Sequence, residues 1–150
     1  MVSTPAVQGK VETPEDELTY KLIGLAMAVH KALGPGFPEA LYQRAMQVSL
    51  AAEGIPHACE YRIDVRFQNH VVGAFELDLV AGGLVILELK AIAALGTEQE
   101  RQAISYLAAS GLPVALLINF GTTRLQYKRI FPPLAVQASP AYQARRATAT

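Results

Sequence analysis

Two acidic residues and one lysine stand out for the chemistry they could do. Asp78 sits between Leu77 and Leu79, and Glu88 and Lys90 interrupt the apolar run Leu84-Val85-Ile86-Leu87-Glu88-Leu89-Lys90. Side chains alternate across a strand, so Glu88 and Lys90 share one face and Leu87 and Leu89 take the other. A carboxylate and an ammonium in such a strand cost desolvation unless both are satisfied. With Asp78 opposite Glu88, the two acids would start roughly 5 Å apart at Cβ. Bare carboxylates repel at that spacing. A divalent cation between them removes the repulsion, and hard oxygen ligands with open positions suit Mg²⁺ or Mn²⁺. Held by Asp78, Glu88 and the carbonyl of Leu89, such an ion would polarise a phosphate and acidify a water, with Lys90 orienting either one. The same residues could instead form a cross-strand salt bridge, because this spacing is a loose pattern.

Whether the acids meet depends on the turn between their strands. A two-residue loop at Gly82-Gly83 places Asp78 opposite Leu87, on the wrong face. A three-residue loop over Gly82, Gly83 and Leu84 places it opposite Glu88. Loops of the second kind often use a glycine at positive φ. The strands themselves are expected over residues 61–67, 71–80 and 84–90, with turns at Asn69-His70 and Gly82-Gly83, which makes an antiparallel meander.

Helices must pack on that meander. One is expected from Thr13, with Pro14 at its first position and Glu15, Asp16 and Glu17 at the positive end of its dipole. Leu18, Leu22, Leu25, Ala26, Val29 and Leu33 recur at helical spacing until Gly34-Pro35-Gly36. A second helix runs from near Pro38 to Glu53 and stops at Gly54. Leu41, Ala45, Val48 and Ala52 make its apolar stripe, with Glu39, Tyr42 and Met46 on the adjacent one. Residues 97–110 read as a third helix, with Thr97 and Glu100 as a capping box and Gly111 as its stop. Residues 114–119 look like a buried central strand, and 123–131 like an exposed final one. A meander, a crossover helix and a buried strand give an α/β fold with a mixed sheet. The expected organisation is a loose N-terminus over 1–12, one domain over 13–131 and a flexible tail over 132–150, rich in Ala, Ser, Thr and Gln.

Composition narrows the function classes. At 150 residues, 51% of them hydrophobic, the chain can bury a core without disulfides. Its single cysteine, Cys59, has no internal partner, which suits a reducing cytoplasm. No run approaches the roughly 18 apolar residues of a membrane span, and residues 1–10 do not read as a secretory signal. Zero formal net charge counts against a tight, non-specific nucleic-acid binder.

The segment from Val29 to Tyr42 contains Gly36-x-x-Glu39-x-x-Tyr42, and it resembles the signature of the GxxExxY protein family, which is placed in the PD-(D/E)XK nuclease-like superfamily. The resemblance continues through Asp78-Leu79, Glu88-Leu89-Lys90, Gln102-x-x-x-Tyr106 and Leu116-Leu117-Ile118-Asn119-Phe120-Gly121, covering roughly residues 18–131. It implies a restriction-endonuclease-like core of helix, three strands, helix and strand. It maps the metal-binding acid to Asp78, the E-x-K pair to Glu88 and Lys90, and a helix-borne accessory acid to Glu39. Gln102 and Tyr106 match the Q-x-x-x-Y motif of the RecB-like branch, and with Tyr42 they are the expected substrate-binding or accessory residues. One departure is Glu76, two before Asp78, where the family often has a basic residue. Alternation puts Glu76 on the face of Asp78, where it would help bind metal or repel phosphate.

The resemblance implies a Mg²⁺- or Mn²⁺-dependent nuclease that hydrolyses phosphodiester bonds of DNA or RNA. The alternative is a catalytically inactive protein that keeps the nuclease fold as a binding or oligomerisation module. Nucleic acid and a second copy of the chain are the expected partners, without a membrane. Glu39 alone would read as a first-turn acid favouring the helix dipole, and Gln102 with Tyr106 as one face of an amphipathic helix. His30 reads as a residue favouring a helix C-terminus. His57, His70 and Cys59 lack zinc-ligand spacing. Tyr61, Arg62 and Arg66, and the cluster Arg124, Lys128 and Arg129, read as solvated faces that could also touch phosphates.

Overall fold

The computed structural model describes residues 13–149. Helix α1 (Pro14–Leu33) is capped by Thr13, whose Oγ1 accepts from the Asp16 N–H at 3.1 Å. It ends at Gly34, whose φ of 73° continues no helix. Helix α2 (Glu39–Ala52) follows, then strands β1 (His57–Phe67), β2 (His70–Ala81) and β3 (Val85–Lys90). Helix α3 (Thr97–Ser110) crosses over to β4 (Val114–Asn119), which turns back into β5 (Gln126–Ile130). Two further helices complete the described chain, α4 (Leu134–Gln137) and α5 (Pro140–Ala149).

The five strands form one sheet in sequence order, with β3 and β4 parallel and every other neighbour antiparallel. Helices α1 and α2 cover one face. Leu22, Ile23, Ala26, Val29, Tyr42, Met46 and Leu50 pack there on Leu79, Leu87, Leu89, Leu116, Ile118 and Phe120. Helix α3 covers the other face, with Ala103, Tyr106 and Leu107 on Leu77, Val80, Ile86, Ala115 and Leu117. Strands β3 and β4 are buried on both faces, which is why they read as continuous apolar runs. Each fully buried leucine in them contributes roughly 1.5–3 kcal/mol through area removed from water. This is the restriction-endonuclease-like α/β architecture that the resemblance implies.

Several expectations need correction. Helix α2 buries Tyr42, Met46 and Leu50, whereas Leu41 and Val48 are exposed. Both stripes carry apolar residues four apart, and contact with Phe120 selects the one containing Tyr42. Helix α3 is not capped by Thr97: Gly96 precedes it, and its N–H donates to Gln99 Oε1 at 2.8 Å. The β1–β2 turn lies one residue earlier than expected, at Gln68-Asn69, both at positive φ as a two-residue hairpin requires. Residues 132–150 were expected as a flexible tail, yet 134–137 and 140–149 are helical. Tyr142 of α5 is buried and its hydroxyl donates to the Leu112 carbonyl at 2.8 Å, while Arg145 Nη1 donates to the Ala108 carbonyl at 2.9 Å. One buried aromatic and one arginine dock a helix otherwise rich in alanine, which composition alone hides. The loose N-terminus over 1–12 lies outside the described residues.

Candidate active site

The turn between β2 and β3 takes the three-residue form. Gly82 and Gly83 have φ of 59° and 67°, and the Leu84 N–H closes onto the Ala81 carbonyl at 3.0 Å. Ala81 then pairs with Val85, Val80 with Ile86 and Leu79 with Leu87. The next pair in that register is Asp78 with Glu88, and there the ordinary ladder gives way to side chains. The Asp78 N–H donates to Glu88 Oε2 at 3.3 Å, and the Leu89 N–H donates to Asp78 Oδ2 at 3.0 Å. Each acid thus occupies a main-chain donor on the opposite strand with one of its oxygens.

Strand β1 is irregular at the same level. Glu60, which would face Asp78, has no pairing partner and a left-handed φ of 51°, although Cys59–Leu79 and Tyr61–Leu77 on either side keep one register. A non-glycine residue adopts that backbone at a cost of roughly 1–2 kcal/mol. Leu77 and Val80, three apart, both belong to the core on the α3 side. Unbroken alternation would send them to opposite faces. The break is centred on Asp78, because Leu79 lies in the α1–α2 core. Alternation therefore does not relate Glu76 to Asp78 as expected. Glu76 instead faces Arg62 across the β1–β2 ladder, and its charge still reaches Asp78.

The electrostatics describe a site with excess negative charge. Burial, then the Asp78 carboxylate, push the Glu88 carboxyl up to about 8, against the opposing pull of the Asp78 N–H and Lys90. Asp78 is raised by burial and further by Glu76 and Glu60, with the Leu89 N–H and Lys90 acting the other way. Glu39 stands largely exposed at the start of α2. Partial desolvation of its carboxyl, then Asp78, raise its pKa, and Lys90 lowers it. Tyr106 is pushed up to about 12 by burial, then by Glu88 and Asp78, so its hydroxyl keeps its proton beside the acids. Lys90 Nζ donates to Gln102 Oε1 at 3.0 Å, and Tyr106 packs edge-on against Phe75 at 5.0 Å. The structure thus brings Asp78, Glu88, Lys90, Gln102, Tyr106 and Glu39 to one locality.

The donor set fits a hard divalent cation. Asp78 and Glu88 each give one oxygen to a backbone N–H and keep the other. The Leu89 N–H points toward β2, and the N–H and C=O of a strand residue project to the same side, so its carbonyl points there too. Two carboxylates and a carbonyl with raised acid pKa values are chemically suited to Mg²⁺ or Mn²⁺. Among the described residues no group of three His, Cys, Asp or Glu side chains is placed to hold a metal, and the Leu89 carbonyl is the further oxygen beside the two acids.

Tyr42 is corrected as a substrate contact. It is fully buried, stacks on Phe120 at 4.6 Å, donates to the Gly34 carbonyl at 2.5 Å and accepts from the Phe37 N–H at 3.2 Å. Gly36 lies inside that loop at φ 109°, a glycine conformation. Gly36 and Tyr42 therefore shape the turn that presents Glu39. His30 is likewise structural: it is buried and its Nε2 meets the Thr122 carbonyl at 2.9 Å.

Four residues outside the expected site set support it: Asn119, Gly121, Gln126 and Gln43. Fully buried Asn119 accepts from the N–H groups of Ile92 and Gly121 and donates to Ile92 O and Gln126 Oε1, each at 3.0 Å. A Cβ at Gly121 would sit 2.5 Å from the Ile92 backbone, so only glycine permits this closeness. The clamp fixes the chain just after Lys90, whose carbonyl accepts from the Phe120 N–H at 2.8 Å. Gln126 Oε1 also receives the Leu95 N–H, and Gln43 Nε2 donates to the Asp78 carbonyl at 3.3 Å. The apolar-to-Asn-Phe-Gly pattern at the end of β4 was the available signal for the first of these.

The basic residues near β5 do not converge. Lys128 pairs with Glu100 at 3.0 Å, and Arg129 Nε donates to Thr19 Oγ1 at 2.9 Å. Arg62 pairs with Asp64 at 2.9 Å on exposed β1. No helix of the described residues is long and apolar enough to cross a membrane.

A family model of the PD-(D/E)XK nuclease superfamily matches residues 16–130, from the first turn of α1 to the end of β5. No curated protein matches the chain.

Proposed function

The chain belongs to the PD-(D/E)XK nuclease superfamily, and on that premise we propose that it hydrolyses phosphodiester bonds of DNA or RNA with a divalent cation held by Asp78, Glu88 and the Leu89 carbonyl. The observation that carries this reading is the opening of β2 from β3 at Asp78, where two acids with raised pKa values cross-bond the strands and retain free oxygens. When bound there, Mg²⁺ or Mn²⁺ supplies Lewis-acid polarisation of a phosphate and acidification of water. Lys90 uses one of its three N–H donors on Gln102 and presents the others to a phosphate oxygen or the attacking water. Gln102 positions that ammonium. Tyr106 keeps a proton with which to bond a phosphate oxygen, and Glu39 supplies an accessory carboxylate at the rim. The unit formed by Gly36, Glu39 and Tyr42 supports membership of the GxxExxY branch.

Cleavage of single- and double-stranded DNA and RNA in Mn²⁺ tests the assignment. Asp78→Asn and Lys90→Met should each lower the rate by at least about a hundredfold, the scale of losing one electrostatic contact to a reacting group. Metal-dependent activity surviving both substitutions would overturn it.

A second reading, a catalytically inactive binding or oligomerisation module, has one observation in its favour. Glu60 and Glu76 add negative charge around Asp78, which opposes a phosphate. Absence of cleavage together with absence of Mn²⁺ binding by calorimetry would select it.

A further inference from the structure

Strand β1 is the outer strand of the sheet, and among the described residues nothing pairs with its free edge. An open edge is a template for another strand, and folded proteins ordinarily block it with bulges or unmatched charges. Here the irregularities bracket a regular stretch. Left-handed Glu60 lies before it and a register shift between Val65 and Arg66 after it, leaving residues 61–65 extended. Around Ile63 the charges are antisymmetric: Arg62 and Asp64 stand one step to either side, and Glu60 and Arg66 three steps away. All four are exposed.

We propose that this edge is a self-complementary dimer interface, in which two copies of the chain pair antiparallel through residues 61–65 about a two-fold axis at Ile63. Two five-stranded sheets then join into one. In this register Arg62 lies opposite the partner's Asp64, and Asp64 opposite the partner's Arg62. With the Arg62–Asp64 contact already present within each strand at 2.9 Å, the four side chains close an alternating ring of charge. Tyr61 lies opposite the partner's Val65, and Ile63 opposite its own copy.

The charges also exclude the neighbouring registers. A shift of two residues one way sets Arg62 against the partner's Arg66 and Asp64 against the partner's Asp64. The opposite shift sets Arg62 against the partner's Arg62 and Asp64 against the partner's Glu60. Like charges directly opposite are destabilising. A one-residue slip turns the stripe of Tyr61, Ile63 and Val65 to the other face. That stripe matters because Ile63 packs against the core under α3, and Tyr61 and Ile63 line an apolar groove of about 460 Å³ with Val80 and Leu112. Pairing extends this apolar side across the joint.

Sedimentation of the full chain over a range of concentrations tests the interface, independently of any nuclease activity. The wild type should show a reversible monomer–dimer equilibrium. Arg62→Asp and Asp64→Arg, both at exposed positions, should each weaken it about thirtyfold by turning two attractive cross-strand pairs into repulsive ones. Mixing the two variants should restore dimerisation, because opposite charges again face each other across the edge. A wild type that stays monomeric throughout overturns the proposal. So does a dimer that both single variants retain, or a mixture that remains monomeric.

Discussion

Glu88→Gln should stabilise the metal-free protein at high pH and leave it almost unchanged at low pH. The substitution keeps the shape of the side chain and an oxygen able to accept from the Asp78 N–H, but removes the charge. In the fold the Glu88 carboxyl is raised from 4.5 to about 8. The folded state therefore binds the proton more tightly than the unfolded chain. The stability linked to this group is fully present below 4.5, declines as pH rises, and is gone above about 8. At roughly 1.4 kcal/mol per unit, the shift corresponds to an upper limit near 5 kcal/mol. Part of it comes from Asp78 and is shared with that residue, so the expected gain of the variant above the upper pKa is roughly 3–5 kcal/mol. Urea unfolding of both proteins in a chelator, from acid to alkaline buffer, measures the difference directly. Mn²⁺ added at the alkaline end should stabilise the wild type and have much less effect on the variant. A difference between the two proteins that stays flat across the whole range would refute the account of Glu88 as an acid raised by burial and by Asp78.

Nucleic acid should bind only with a divalent cation present, since the acids around Asp78 repel phosphate until their charge is matched. Fluorescence anisotropy with Ca²⁺ and with chelator checks this, and equal affinity in both would contradict it. Asn119→Ala leaves the N–H groups of Ile92 and Gly121 and the carbonyl of Ile92 unpaired. It should cost about 3–5 kcal/mol in equilibrium unfolding, and a loss under about 1 kcal/mol would show that the clamp bears little. Tyr142→Ala removes a buried ring and its bond to Leu112. A loss of roughly 3–5 kcal/mol is expected, with amide exchange rising in α5, and a neutral result would mean that Tyr142 does not anchor α5 to α3 and the segment after it.

Much of the fold is written in short-range signals. Thr13-Pro14 with three acids marks the start of α1, Gly111 marks the end of α3, and the apolar runs in β3 and β4 identify strands covered on both faces. Residues 114–119 and 97–110 therefore fall where the local pattern puts them. The site was legible as a set of residue types but not as a geometry. The sequence permits two loop lengths at Gly82-Gly83, and only the fold selects the one that faces Asp78 toward Glu88. The break in alternation at Asp78 and the left-handed backbone at Glu60 have no local cause. They sit at the level where two carboxylates enter the gap between β2 and β3, a contact between residues ten apart. Similarly, nothing within α2 decides between the stripe of Tyr42 and that of Leu41, since the deciding partner, Phe120, lies far along the chain.

These long-range features share one physical consequence. The site concentrates what a fold ordinarily avoids: a buried acid beside another acid, a non-glycine residue in left-handed backbone, and a strand pair forced open. Left alone, such a segment would relax by closing the β2–β3 ladder and expelling Glu88. What resists relaxation is supplied from outside the site. The Asn119 clamp and the Phe120–Lys90 bond fix the end of β3, the fully buried Leu87 and Leu89 hold its opposite face in the α1–α2 core, and Gln43 grips the Asp78 carbonyl from α2. Motion of Glu88 out of the gap would drag those leucines from the core, at roughly 1.5–3 kcal/mol each. The packing on one face of β3 thus holds the strained chemistry on the other, and a cation that neutralises the acids would remove the main electrostatic cost that the packing opposes.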